Sequence, residues 1–360
     1  MNTQTEGFGE RKYGRREVLG AGLMGGAGLL AAHALPERIV RSDAAKGFKA
    51  ASGSWKYAVV PPVVNPFYLP FPGAIKAAQA KFKTGPIAYE FPSAFTQDAE
   101  NIVVDGLAAK GYNLMAVQPA DPVAGNATIK RLVSNGIKVV CFGAPPAQPS
   151  HAVFALATEA ENAAYFAAVQ TIKVIGGKGK LVHFSGDVSD ANTAPRVRGV
   201  NKAVAATHGR VKLLETITND DSPSSATTAV ADVFAAHGSA INGIVCTAYN
   251  PAAAVAKQLK QANNHKIKCV GIDTATDTIA AIKSGYLAGT VIQNPYGMCY
   301  LSIYSLKLLS EGYTWKKSSP FFVDSGTAFV DKSNVAHWPS LQAALTSKLQ
   351  ATWINYFNKP

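Results

Sequence analysis

Nine residues of this chain have the types needed to hold a small polyhydroxylated molecule: Asn65, Phe67, Tyr68, Asp121, Asn192, Arg196, Asn250, Asp273 and Gln293. Carboxylates, carboxamides and one guanidinium can together accept from and donate to a ring of hydroxyl groups. Aromatic faces such as Phe67 and Tyr68 pack against the C–H patches of a sugar. A hydroxyl buried without a partner costs about a kilocalorie per mole or more, so such a molecule needs several polar groups arranged around it. Chemistry that breaks bonds has no comparable signature. The chain has no HExxH, no GxSxG and no P-loop, and neither Glu159 nor Glu161 has an evident catalytic partner. No catalytic residue is therefore expected. The four cysteines, Cys141, Cys246, Cys269 and Cys299, include no CxxC pair, and His265 near Cys269 lacks a second ligand pair. No metal and no cofactor is expected. Cys141 and Cys246 sit in apolar runs and read as buried free thiols, while one disulfide stays open in an oxidising compartment.

Several of these residues also have a local structural reading. Asp121-Pro122 and Asn250-Pro251 are good helix starts, a capping side chain followed by proline at the first helical position. Thr158-Glu159-Ala160-Glu161 has the form of a capping box. Arg196 has Asp187 and Asp190 nearby as ion-pair partners. The binding reading is favoured by position, because the candidates follow apolar strand-like runs and so fall on one topological edge.

The elements that must position them alternate. Apolar runs predict strands at 57–64, 87–91, 113–118, 137–142 and 153–158, with helices at 72–83, 96–110 and 122–135 between them. A second set predicts helices near 160–175, 193–207, 224–237, 251–263 and 276–284 alternating with strands near 180–184, 211–217, 242–247, 267–272 and 288–293. Strand alternating with helix means parallel sheets covered on both faces. The fold class is therefore α/β, two doubly wound parallel-sheet lobes, in which ligands collect outside the carboxyl ends of the strands.

The first residues read as an address. Arg15-Arg16 precedes an apolar Gly- and Ala-rich run, and Ala32-His33-Ala34 offers small residues for signal cleavage. Paired arginines in this setting resemble a twin-arginine export signal, and a run of about 15 residues is short for a membrane span. Residues 1–34 are thus expected to be a signal and 35–56 a leader. Gly20-Ala21-Gly22-Leu23-Met24-Gly25 matches GxGxxG, but no buried strand precedes it, so the dinucleotide reading is rejected. The formal net charge is +12, yet the basic residues are scattered and form no run interleaved with aromatics, so no nucleic-acid partner is expected.

From residue 57 to about residue 331 the chain resembles the ribose-type (type I) periplasmic sugar-binding proteins of ABC importers. The resemblance is carried by Asn65-Pro66-Phe67-Tyr68, Pro119-Ala120-Asp121, Arg196-Val197-Arg198-Gly199, Tyr249-Asn250-Pro251, Gly271-Ile272-Asp273 and Val291-Ile292-Gln293, in that order. It implies a periplasmic monomer that closes on its ligand about a three-strand hinge near Thr158, Gln293 and residues 322–326, then docks on permease subunits in the inner membrane. The implied N-terminal lobe is 57–157 plus 294–322 and the C-terminal lobe 158–293 plus 323–360, with 332–360 a helix on the latter. Two departures bear on the ligand. Gly143-Ala144-Pro145-Pro146 stands where the family often has a charged residue, and Asn219-Asp220-Asp221-Ser222-Pro223-Ser224 stands where it usually supplies a second aromatic wall. A pentose or linear pentitol is therefore expected over a hexose. A sugar sensor docking on a chemoreceptor or histidine kinase remains the alternative. A LacI-type repressor core would need an N-terminal helix-turn-helix, which residues 1–55 do not suggest.

Overall fold

The computed structural model describes residues 54–360. The export signal, the glycine motif at 20–25 and most of the leader lie outside the described residues. Pro61 and Pro62 end the first apolar run early, so β1 is Tyr57–Val60, because proline cannot donate to a ladder on both sides of a central strand. There follow α1 (Phe71–Phe82), β2 (Ile87–Tyr89), α2 (Gln97–Ala109), β3 (Leu114–Val117), α3 (Pro122–Ser134), β4 (Lys138–Phe142) and β5 (Ala155–Ala157). The second series is α4 (Ala160–Val174), β6 (Gly179–Phe184), α5 (Thr193–Ala205), β7 (Val211–Ile217), α6 (Pro223–His237), β8 (Gly243–Cys246), α7 (Tyr249–Gln261), β9 (Lys268–Ile272), α8 (Thr276–Ser284) and β10 (Gly289–Ile292). The chain then forms α9 (Pro295–Ser310), β11 (Thr314–Trp315), β12 (Phe322–Asp324), β13 (Ala328–Asp331), α10 (Trp338–Trp353) and β14 (Phe357–Asn358).

Two six-stranded sheets result. The first has the order β12-β5-β4-β3-β1-β2, all parallel. The second has the order β13-β10-β9-β8-β6-β7, parallel except for the antiparallel edge strand β13. Helices cover both faces of each, so the central strands are buried over most of their length, as a parallel ladder requires. In the first lobe α1 and α9 bury Phe71, Ile75, Leu301 and Leu306 against one face, and α2 and α3 bury Val104, Leu107, Ile129 and Leu132 against the other. In the second lobe α4 and α5 pack through alanines, and Gly199 of α5 lies so close to the backbone of Glu161 that a Cβ there would overlap it. The four cysteines are buried free thiols. No helix among the described residues is long and apolar enough to cross a membrane.

The chain passes between the lobes three times. β5 leads through Thr158 into α4, β10 leads through Gln293 and Asn294 into α9, and β12 leads through Ser325 into β13. Side chains tie the crossings together. Thr158 Oγ1 and Ser325 Oγ lie 3.3 Å apart, and Asn294 Nδ2 donates to the Ser325 carbonyl at 3.1 Å. The capping box expected at Thr158 does not start this helix. α4 begins at Ala160, and Glu159 is its cap, accepting from the Asn162 N–H at 2.7 Å.

The C-terminal segment departs from expectation. Residues 332–360 were expected on the second lobe alone, but α10 joins both. Its start, Trp338 and Leu341, packs on the second lobe's core. Its end, Trp353, is fully buried in the first lobe's core with Phe357. There Trp353 Nε1 donates to Ser305 Oγ at 2.8 Å, its ring lies edge-on to Phe154, and β14 pairs with β11. In between, Gln342 Nε2 donates to the Gln293 carbonyl at 2.9 Å and Thr346 Oγ1 to Asn294 Oδ1 at 2.7 Å. β12 likewise belongs to the first sheet through all three of its residues, so the assignment of 323–360 to the second lobe is revised.

Candidate ligand-binding site

The strands of both sheets end at one cleft, and each wall is built from residues just past a strand end. In the first lobe the two prolines after β1 lead to Asn65. Its Oδ1 accepts from the Phe67 N–H at 2.9 Å and starts a short 3-10 turn, Pro66–Tyr68. Phe67 and Tyr68 meet edge-on at 5.2 Å between ring centroids. Tyr68 is buried and donates its hydroxyl to Gln118 Oε1 at 2.9 Å, and Gln118 follows β3 directly. Gly143 follows β4 in the same way.

The second lobe supplies the charged wall. Arg196, in the first turn of α5, pairs with Asp190 at 3.3 Å and donates to the Ser185 carbonyl. Asn192 Nδ2 donates to Asp190 Oδ1 and, across the cleft, to the Gly143 carbonyl, both at 3.0 Å. Asp221 Oδ1 accepts from the backbone N–H and the Nδ2 of Asn250 at 3.1 and 3.0 Å. Asp273, directly after β9, has φ 64°, a left-handed conformation that Asp tolerates better than most residues. Its Oδ1 accepts from Gln293 Nε2 at 2.9 Å. The hollow between the two walls is small, about 50 Å³.

This wall is strongly acidic for its depth. Burial raises Asp273 to about 7, with Asp221 raising it further and the Gln293 hydrogen bond and Arg196 opposing. Burial raises Asp221 to about 6, opposed by its hydrogen bonds from Asn250 and by Arg196. Behind them Asp220, raised to about 7 by burial and by Asp221, accepts from the Gly186 N–H, and its Oδ2 has no partner. Ligand hydroxyls donating to such carboxylates would favour the ionised form. Among the described residues no group of three or more His, Cys, Asp or Glu side chains is placed to hold a metal ion.

Seven of the nine expected residues line this space: Asn65, Phe67, Tyr68, Asn192, Arg196, Asp273 and Gln293. Two do not. Asp121 caps α3, its Oδ1 accepting from the N–H groups of Val123 and Ala124 at 2.8 and 2.7 Å, and faces a separate hollow toward Pro145 and Val188. Asn250 lies within the first turn of α7, which starts at Tyr249, two residues earlier than expected. Its side chain serves Asp221. Sequence reasoning missed Gln118, Gly143, Asp190, Asp221 and Tyr249, which also line the cavity. From sequence Asp190 reads only as an ion-pair partner for Arg196. α7, and not the loop after β7, contributes an aromatic, Tyr249, to the lining.

Residues 57–314 match the family described as periplasmic binding protein domain. The chain belongs to that family. Its relatives are distant in sequence. A xylitol-binding protein of Mycolicibacterium smegmatis is 25% identical over 195 residues, covering 53% of this chain and 54% of that protein, so the match spans about half the relative's length. A xylose/arabinose-binding protein of Sulfolobus acidocaldarius is 23% identical over 311 residues, 78% of this chain and 72% of the relative. The fold is that of ABC transporter solute-binding proteins. One from Burkholderia graminis in complex with D-arabinose superposes with a TM-score of 0.71 at 24% identity, covering 80% of this chain and 98% of that one. One from Agrobacterium radiobacter, also with D-arabinose, gives 0.73 at 17% identity over 82% and 100%. The family thus has the two-lobed, type I architecture expected from the alternation of strands and helices.

Proposed function

We propose that this chain is the exported solute receptor of an ABC importer and binds a neutral pentose or pentitol by closing its two lobes. The observation that carries the reading is the cleft itself, where carboxylates, carboxamides and aromatics from both lobes surround a small hollow of about 50 Å³. The preference for five carbons rests on that small volume and on the xylitol and xylose/arabinose relatives. Closure follows from linkage: a ligand touching both lobes binds only the closed form and shifts an open–closed equilibrium toward it. The hinge is formed by the crossings at Thr158, Gln293–Asn294 and Ser325. The closed form then docks as a monomer on the permease, export runs through the twin-arginine signal, and the ligand leaves chemically unchanged.

A thermal-shift screen of the chain against pentoses, hexoses, pentitols, tetritols and inositols tests this. A ligand at a hundredfold excess over its dissociation constant adds about 2.7 kcal/mol of stability. One strong hit among pentoses or pentitols is the expected result. A hexose bound far more tightly than any five-carbon compound overturns the size preference, and turnover of any hit overturns the receptor reading.

A further inference from the structure

Among the described residues the first lobe presents no charged side chain to the cavity, and at Gly143 one close contact bears on this. β4 ends at Phe142, and Gly143 follows with φ 69°, in the left-handed region that favours glycine. A Cβ built on Gly143 would overlap the carboxamide of Gln118. The glutamine thus occupies the volume that a side chain at 143 would fill. Gln118 Oε1 is engaged by the Tyr68 hydroxyl at 2.9 Å. With Oε1 so engaged, Nε2 has no protein partner among the described residues, at a residue lining the cavity. Across the space stand Asp190, Asp221 and Asp273, and Arg196, the one cation of the lining among the described residues, is held by Asp190.

We propose that Gly143 is a specificity-determining residue: by leaving its side-chain volume to the Gln118 carboxamide, it makes the first-lobe wall an uncharged N–H donor. The ligand then lies with its hydroxyl hydrogens toward the carboxylates of the second lobe and an oxygen lone pair toward Gln118. Ligands carrying a carboxylate or phosphate are rejected by the acidic wall, because the first lobe offers no free cation to receive them. The inference deepens the proposed function and rests on it.

Gln118→Glu is nearly isosteric, keeps an acceptor for Tyr68 and removes the N–H donors. Gly143→Ala displaces the carboxamide. Each should weaken binding of xylitol or D-arabinose about tenfold or more by titration calorimetry, the size of a hydrogen bond lost at a buried site. The discriminating variant is Gly143→Ala combined with Gln118→Ala. With the carboxamide gone the added methyl no longer meets it, so the double variant should bind no more weakly than Gln118→Ala alone, while its ligand-free thermal midpoint falls below that single variant's by no more than the left-handed backbone at 143 costs a non-glycine residue. Independent, additive losses overturn the proposal, as does unchanged affinity in Gln118→Glu. A wild-type chain that binds none of the pentoses or pentitols overturns the proposed function and this inference with it. A wild-type chain that binds while the variants behave like it overturns this inference alone.

Discussion

Asn192 Nδ2 and the Gly143 carbonyl lie 3.0 Å apart, a hydrogen bond that joins the two lobes across the mouth of the cleft. The amide is steadied on the second lobe by Asp190, so the latch belongs to the same cluster that holds Arg196. Replacing Asn192 by Ala removes the latch without removing a cavity charge. A single neutral hydrogen bond contributes about 0.5–1.5 kcal/mol, so ligand affinity should fall about two- to tenfold. Small-angle scattering of the ligand-free chain should show a larger radius of gyration than wild type. An unchanged radius with unchanged affinity would show that the bond has no part in closure.

Asp273→Asn should abolish tight binding while leaving the fold intact. Asn tolerates the left-handed backbone at this position, which Ala does not. Hydrogen bonds to a charged acceptor contribute about 1.5–3 kcal/mol, a loss of roughly 10- to 150-fold in affinity. Calorimetry measures the loss, and circular dichroism checks that the variant is folded. Wild-type affinity would remove Asp273 from the site.

Asp121 gives the opposite expectation. Its carboxylate is spent on the N–H groups of Val123 and Ala124. Asp121→Ala should cost about 1 kcal/mol of stability, the ordinary cost of a lost cap, with ligand affinity unchanged. A large affinity loss at constant stability would restore the binding role suggested by the family resemblance.

The acidic wall makes binding depend on pH. Burial raises Asp273 to about 7 and Asp221 to about 6 from an ordinary 3.8. The groups facing them are Arg196, Asp187, Asp190, Asp220, Tyr68 and Tyr249. Because the folded-state values are raised, the folded form holds protons that the unfolded chain has released. The associated stability is full below about pH 4 and is lost as pH rises through about 6 to 7. Glu100, raised to about 7 by burial in the first lobe, acts in the same sense. A polyol donating hydroxyls to ionised carboxylates reverses the preference, so binding releases protons. Affinity should therefore rise between pH 5 and pH 8 while the ligand-free thermal midpoint falls, and Asp273→Asn should flatten both profiles. Affinity falling with pH would show that the protonated carboxyls are the binding form.

Much of this site was legible because its residues follow strands directly. Asp273 and Gln293 end the runs that became β9 and β10, and the Asn65 turn follows β1, so strand ends alone put them on the cleft. Asp121 misled because a helix cap and a ligand carboxylate leave the same mark, Asp before Pro at a strand end. Asp221 was hidden behind Asp220 in a loop judged by the aromatic it lacked. Gln118 was counted as the last residue of a strand, and nothing local marks its fit against Gly143, 25 positions later, where only backbone geometry makes them neighbours. Tyr249 was lost through a two-residue error in where α7 begins. The span of α10 had a signal, tryptophans at both ends, but one helix with two destinations has no periodicity of its own.

That span governs the order in which the molecule can be built. The first lobe's core needs Trp353 and Phe357 beside Phe154, about two hundred residues apart in the chain. During synthesis, residues 57–157 leave the ribosome long before the segments that finish their own lobe, α9, β12 and the end of α10. The second lobe waits in the same way for β13 and Trp338. Contacts so distant in sequence form slowly, and neither half has a finished core to trap it early. The first lobe's core can thus be completed only once about residue 357 has emerged, and α10 is then shared by both lobes.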